Sequence, residues 1–175
     1  MTFATKLRFT LAGAAVVLAL AGPPSLSEEV KTGCDAFEWS IDQELGWFAA
    51  EGVRKVGSGG TVEAAGAFEL ALAKLDEAKL VLPPEKAPKE DAPFAGLVTI
   101  AEIREPGLYQ VTLSDRGWID MIKDGKYVRS AGNTMGRDCK GARKSVRFNL
   151  AAGTYTLQLS SVPAETVRVA LRKAP

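Results

Sequence analysis

The sequence predicts a mainly β fold: an antiparallel β-sandwich, jelly-roll-like, with one short N-terminal helix. Three observations carry this. From Gly96 onward, short segments alternate apolar and polar residues; glycine turns separate them; and no helical period lies between them. Strands with one apolar face and no covering helices must pack sheet on sheet.

In chain order, Lys6 and Arg8 precede an apolar run from Phe9 to Ala21 that closes in Ala19-Leu20-Ala21. This reads as a signal peptide over 1–21. The run falls short of the about 20 apolar residues a bilayer span needs, so no stable membrane insertion is expected after cleavage. Residues 22–33 read as a flexible leader and 34–175 as a single sandwich domain with its helix. Phe37, Ile41, Leu45 and Phe48 recur on one helical face, with Asp35 in the first turn and Gly52 as the stop.

The stretch 61–82 is two-sided. Val62, Ala65, Phe68, Leu72 and Leu75 keep a helical period, while Phe68, Leu70 and Leu72, then Leu80 and Leu82, alternate as two strands would. The strand reading is favoured and the helical one stays open. Pro83-Pro84 begins a linker-like connection to Pro93. Strands then follow at Val98–Ile100, Tyr109–Leu113 and Trp118–Ile122. Asp124-Gly125 forms a tight hairpin into Tyr127–Arg129. Beyond a Gly-rich loop come strands at Val146–Leu150, Tyr155–Leu159 and Val167–Leu171.

Composition narrows the chemistry. The 175 residues include no His, which excludes His-based nucleophile systems and His-built metal sites; no metal or cofactor is expected. The 22 basic residues face 21 acidic ones, and residues 1–21 carry two of the basic and none of the acidic. The remainder is nearly neutral, so no nucleic-acid partner is expected. Cys34 and Cys139 are the two cysteines. In an oxidising compartment they read as one disulfide, with a pair of free reactive thiols as the functional alternative.

The densest local feature is Arg137 to Arg147, where Arg137, Lys140, Arg143, Lys144 and Arg147 accompany the single acid Asp138. Arginine suits carboxylate or phosphate recognition, so this segment is a candidate anion site; a solvated loop is the bland reading. Among the aromatics, Tyr109 and Tyr155 share the parity of the apolar faces, and Trp39 and Trp47 fit a helix–sheet contact. Trp118 and Tyr127 flank the Asp-Gly hairpin and are the aromatic binding candidates. Carboxylates able to do acid–base work without histidine are Glu38, Asp42, Glu44, Asp120 and Asp138. Asp120 shares parity with Trp118 and Ile122. On an inward face it would carry a raised pKa or take a basic partner from 137–147; a structural ion pair or an outward edge position is the alternative.

Two resemblances add to this. Gly107 to Leu113, Trp118-Ile119-Asp120 and Val146 to Leu157 resemble the pre-peptidase C-terminal domains of secreted bacterial proteins, over roughly 96–172. That resemblance implies an accessory, non-catalytic sandwich, sometimes carbohydrate-adhesive. Cys34-Asp35 with Phe37 and Trp39, and Arg143 to Phe148, are similar to small exported proteins of alphaproteobacteria, which imply no activity. The expectation is an exported, non-catalytic binding or scaffolding protein of the periplasm or envelope, with an anionic glycan or an envelope protein as partner. A carboxylate-dependent polysaccharide hydrolase or lyase is the alternative. A third reading is a subunit or inhibitor that binds through the 137–147 loop.

Overall fold

The computed structural model describes Met1, Thr2 and residues 30–175. Residues 3–29, which hold most of the expected signal peptide and leader, lie outside the described residues. From Gly33 the chain forms a 3-10 turn (Gly33–Ala36) and helix α1 (Asp42–Ala49). Twelve strands follow among the described residues: β1 (Arg54–Val56), β2 (Thr61–Val62), β3 (Gly66–Ala71), β4 (Ala73–Lys74), β5 (Phe94–Ile103) and β6 (Gly107–Leu113). The rest are β7 (Trp118–Lys123), β8 (Lys126–Val128), β9 (Ser130–Met135), β10 (Lys144–Leu150), β11 (Gly153–Val162) and β12 (Thr166–Lys173).

The strands make two sheets, as a sandwich requires. Sheet A runs β1-β3-β12-β6-β10-β9; sheet B runs β2-β5-β11-β7-β8, with β4 also on β5. Alternation decides what lies between them. Val111 and Leu113 of β6, Val146 and Phe148 of β10, and Val169 and Leu171 of β12 meet Val98, Ile100, Met121, Leu157 and Leu159 of sheet B in one buried core. The Asp124-Gly125 hairpin forms as the sequence demands: both residues have positive φ, 49° and 69°, the backbone of a tight two-residue turn. The recurrent Gly-x-Tyr also gains a structural reason. Tyr109 and Tyr155 each send a hydroxyl back to the carbonyl four residues upstream, Glu105 and Ala151, both at 3.0 Å. Each ring is buried and each corner is locked by one hydrogen bond.

Several expectations need correction. The helix does not run on from Cys34. Glu38 donates its backbone N–H to Thr134 Oγ1 and Trp39 donates its indole N–H to Ser145 Oγ, which holds 37–40 open across sheet A. Among the described residues only the eight of α1 are α-helical, yet Phe37, Ile41 and Phe48 still bury against the sheet. Leu80 and Leu82 are not in a strand, and the helical reading of 61–82 is replaced by short β2, β3 and β4. The Gly-rich loop after Arg129 contains an edge strand, β9. Two pairings, β1 with β3 and β2 with β5, are parallel.

Two segments cover the outer faces. Residues 33–50 lie on sheet A, fastened by the Cys34–Cys139 disulfide across 105 positions. Residues 75–93 form a strap on sheet B. The Gln158 amide accepts from the Val81 and Leu82 N–H groups at 3.0 and 3.4 Å and donates to the Leu82 carbonyl at 2.9 Å. Among the described residues no helix is long and apolar enough to cross a membrane.

Candidate functional site

The structure divides the basic run 137–147 among three places. Lys144 opens β10 on the inward parity of Val146 and Phe148 and is buried, 8% exposed. Its Nζ donates to the Gly117 carbonyl at 3.0 Å and stands 4.6 Å from the centre of the Trp118 ring. Arg147, three positions on, faces the other side of sheet A. Its guanidinium lies 4.3 Å from the Trp39 ring and its Nε donates to Gln110 Oε1 at 3.0 Å. Arg137 and Lys140 are exposed on the loop before β10, while Arg143 is half-buried with its N–H on the Leu113 carbonyl. Among the described residues none of the five makes a salt bridge.

Three predicted residues do come together, at the edge where β7, β8 and the strap meet. Trp118 starts β7 and Tyr127 sits on β8, exposed, with its hydroxyl donating to the Pro83 carbonyl of the strap. Lys144 approaches the Trp118 ring from β10, and Lys86 of the strap brings a second ammonium to 5.3 Å from the ring centre. Asp120 completes the group. Ile119 and Met121 take the core face of β7, so Asp120 points outward, not inward, and the strap is what buries it to 3% exposure. Its Oδ1 accepts the Trp118 indole N–H at 2.6 Å; its Oδ2 accepts from the Glu85 N–H at 3.3 Å and from Gln158 Nε2 at 3.5 Å. Asp120, Glu85, Trp118 and Tyr127 border one cavity of about 50 Å³.

Burial dominates the electrostatics here. It pushes the Asp120 carboxyl up, against the Trp118 and Glu85 hydrogen bonds that pull it down. It also pushes the Lys144 ammonium down to about 8, helped by the like charge of Lys86 and opposed by Asp120. The indole face offsets part of that cost, because a ring quadrupole favours the charged form.

An unfolded lysine keeps its proton to a pKa of about 10.4, so between about pH 8 and 10 the unfolded chain binds more protons than the folded one. The Lys144 contribution to stability therefore rises with pH across that window. Denaturant midpoints at pH 7, 9 and 10 should show this upward contribution in the wild type and lose it in Lys144→Met. Parallel curves for the two proteins would assign the pH dependence elsewhere.

The other carboxylates do not gather. Glu38, Asp42 and Asp138 are exposed, whereas Glu44 is completely buried under α1. Sequence reasoning missed Lys86, Glu85 and Gln158, which the strap and β11 contribute, and Gln110 and Arg172, which meet Glu44. The Pro83-Pro84 pair was the available signal for the strap. Gln110 and Gln158 were visible as polar residues inside otherwise apolar strands, where a buried amide requires partners.

No protein-family model and no curated protein matches the sequence. Among solved structures, the chain is similar in part to a β-glucosidase from Paenibacillus barengoltzii, at 14% identity over 69% of this chain and 13% of that one. The TM-score is 0.26, and the likeness carries no argument.

Proposed function

We propose that the protein is an exported, non-catalytic β-sandwich of the periplasm or envelope that binds an anionic glycan at the Trp118 edge. The observation that carries this reading is the pair of ammonium groups, Lys86 and Lys144, at one indole ring, with no salt bridge to either among the described residues. A uronic-acid chain supplies carboxylates for the ammonium groups and rings for the exposed Tyr127. The loop that delivers Lys144 also carries exposed Lys140 and half-buried Arg143. The signal-peptide pattern and the disulfide support an oxidising, extracytoplasmic compartment. The Gly-x-Tyr resemblance agrees with a non-catalytic role.

A hydrolytic reading rests on Asp120 and Glu85 bordering one cavity. Its volume of about 50 Å³ stands against roughly 300–1,000 Å³ for pockets that enclose a ligand. Binding at the edge is the better supported reading.

A thermal-shift comparison of oligogalacturonate with a neutral dextran tests it. At about 100 times its dissociation constant the uronic polymer should raise the melting temperature by about 5 to 10 °C. Lys86→Glu, an exposed change, should abolish the rise while leaving the unliganded melting temperature unaltered. Equal shifts with both polymers, or none with either, would overturn the glycan and leave a protein partner as the alternative.

A further inference from the structure

We propose that the outer face of β6, β10 and β12 is a carboxylate-binding site, filled in this structure by the protein's own Glu44, and that it takes an external carboxylate when Glu44 is withdrawn. The inference concerns the sheet opposite the Trp118 edge and does not depend on the glycan reading.

The receptor belongs to the sheet, not to the helix that brings the ligand. Glu44 Oε1 accepts from Arg172 Nε of β12 at 2.8 Å, from Gln110 Nε2 of β6, and from Thr112 Oγ1 of β6 at 3.5 Å. One of these donors is oriented by the sheet alone. Arg147 Nε occupies the Gln110 amide oxygen, so the amide NH₂ must face the carboxylate. The hydroxyls are ordered too. An indole N–H only donates, so Ser145 Oγ accepts from Trp39 at 2.9 Å. Its own proton is then free for Thr112 Oγ1 at 2.9 Å, an arrangement that leaves the Thr112 proton for Glu44. Gln110, Thr112 and Ser145 are fully buried, and the Arg172 side chain is 11% exposed.

Glu44 fills this receptor imperfectly. Three donors converge on Oε1, while Oε2 is buried with no partner. A side chain fixed to α1 cannot turn to share its two oxygens; a free carboxylate is under no such constraint. Withdrawing Glu44 would leave the Arg172 guanidinium without its anion, with the charge of Arg147 close by, a pre-formed positive socket held by rigid strands. Residues 33–50 thus act as a plug, pinned by the Cys34–Cys139 disulfide.

The test is chemical rescue of the full chain carrying Glu44→Ala, in sodium acetate against sodium chloride at equal ionic strength. At about ten times the dissociation constant, acetate should raise the variant's melting temperature by about 3 to 5 °C more than it raises the wild type's, whose site is full. If the variant does not hold its fold in chloride, refolding in acetate should recover it. Equal shifts in variant and wild type, or a variant unfolded in both salts, would overturn the site.

Discussion

Replacing both Cys34 and Cys139 by Ser should lower the unfolding free energy by about 4.7 kcal/mol, the chain-entropy value for a closed loop of this size. The cross-link spans 105 positions and joins the 3-10 turn to the loop before β10. It therefore restricts the unfolded chain over most of the sandwich sequence. At this size the loss corresponds to a fall of about 9 to 19 °C in melting temperature. The same segment contributes Phe37, Ile41 and Phe48 to the small apolar cluster that also contains Cys139 and Ala170. Loosening it weakens that cluster as well as the disulfide's entropic effect. Urea unfolding of the oxidised wild type and the double variant measures the difference; a change below about 1 kcal/mol would show that the cluster alone holds residues 33–50 in place.

The second large effect is expected at Arg172. Arg172→Met leaves Glu44 buried with its main cationic partner gone, and breaking a buried pair from one side typically costs about 3–5 kcal/mol. Adding Glu44→Leu removes the stranded charge, so the double variant should recover most of that loss. A double-mutant cycle by denaturant unfolding reads the coupling directly. Additive losses would mean that Gln110, Thr112 and Arg147 carry the carboxylate without help from Arg172.

Much of the sandwich was legible because packing imposes a period of two. At Tyr109-Val111-Leu113, Val146-Phe148-Leu150 and Tyr155-Leu157-Leu159 the apolar residues named the core face, and those residues fill it. Edge strand β9 was not legible. Its Ser-Ala-Gly-Asn-Thr-Met sequence packs on one neighbour only, and no apolar stripe is needed there. The helical period overstates the helix, because residues 37–40 make hydrogen bonds to β9 and β10 that the local period does not reveal.

The candidate site was half visible. Trp118 and Tyr127 stood out beside the hairpin, and Lys144 through its charged neighbours. The basic run looked like one patch only when read as a line. Once 144–150 is a strand, Lys144 and Arg147 differ by an odd number of positions and must face opposite ways. Lys86 could not be singled out among the mixed charges after Pro84, since its role depends on the strap crossing sheet B.

Strand β12, residues 166–173, lies in the middle of sheet A, between β3 and β6. A nascent chain that has reached β10 holds β3 and β6 with a missing strand between them, and neither can pair across the gap. Closure of this half of the core is thus deferred until residues 166–173 have followed every other strand of the sheet. Such late, non-local pairing makes folding slow.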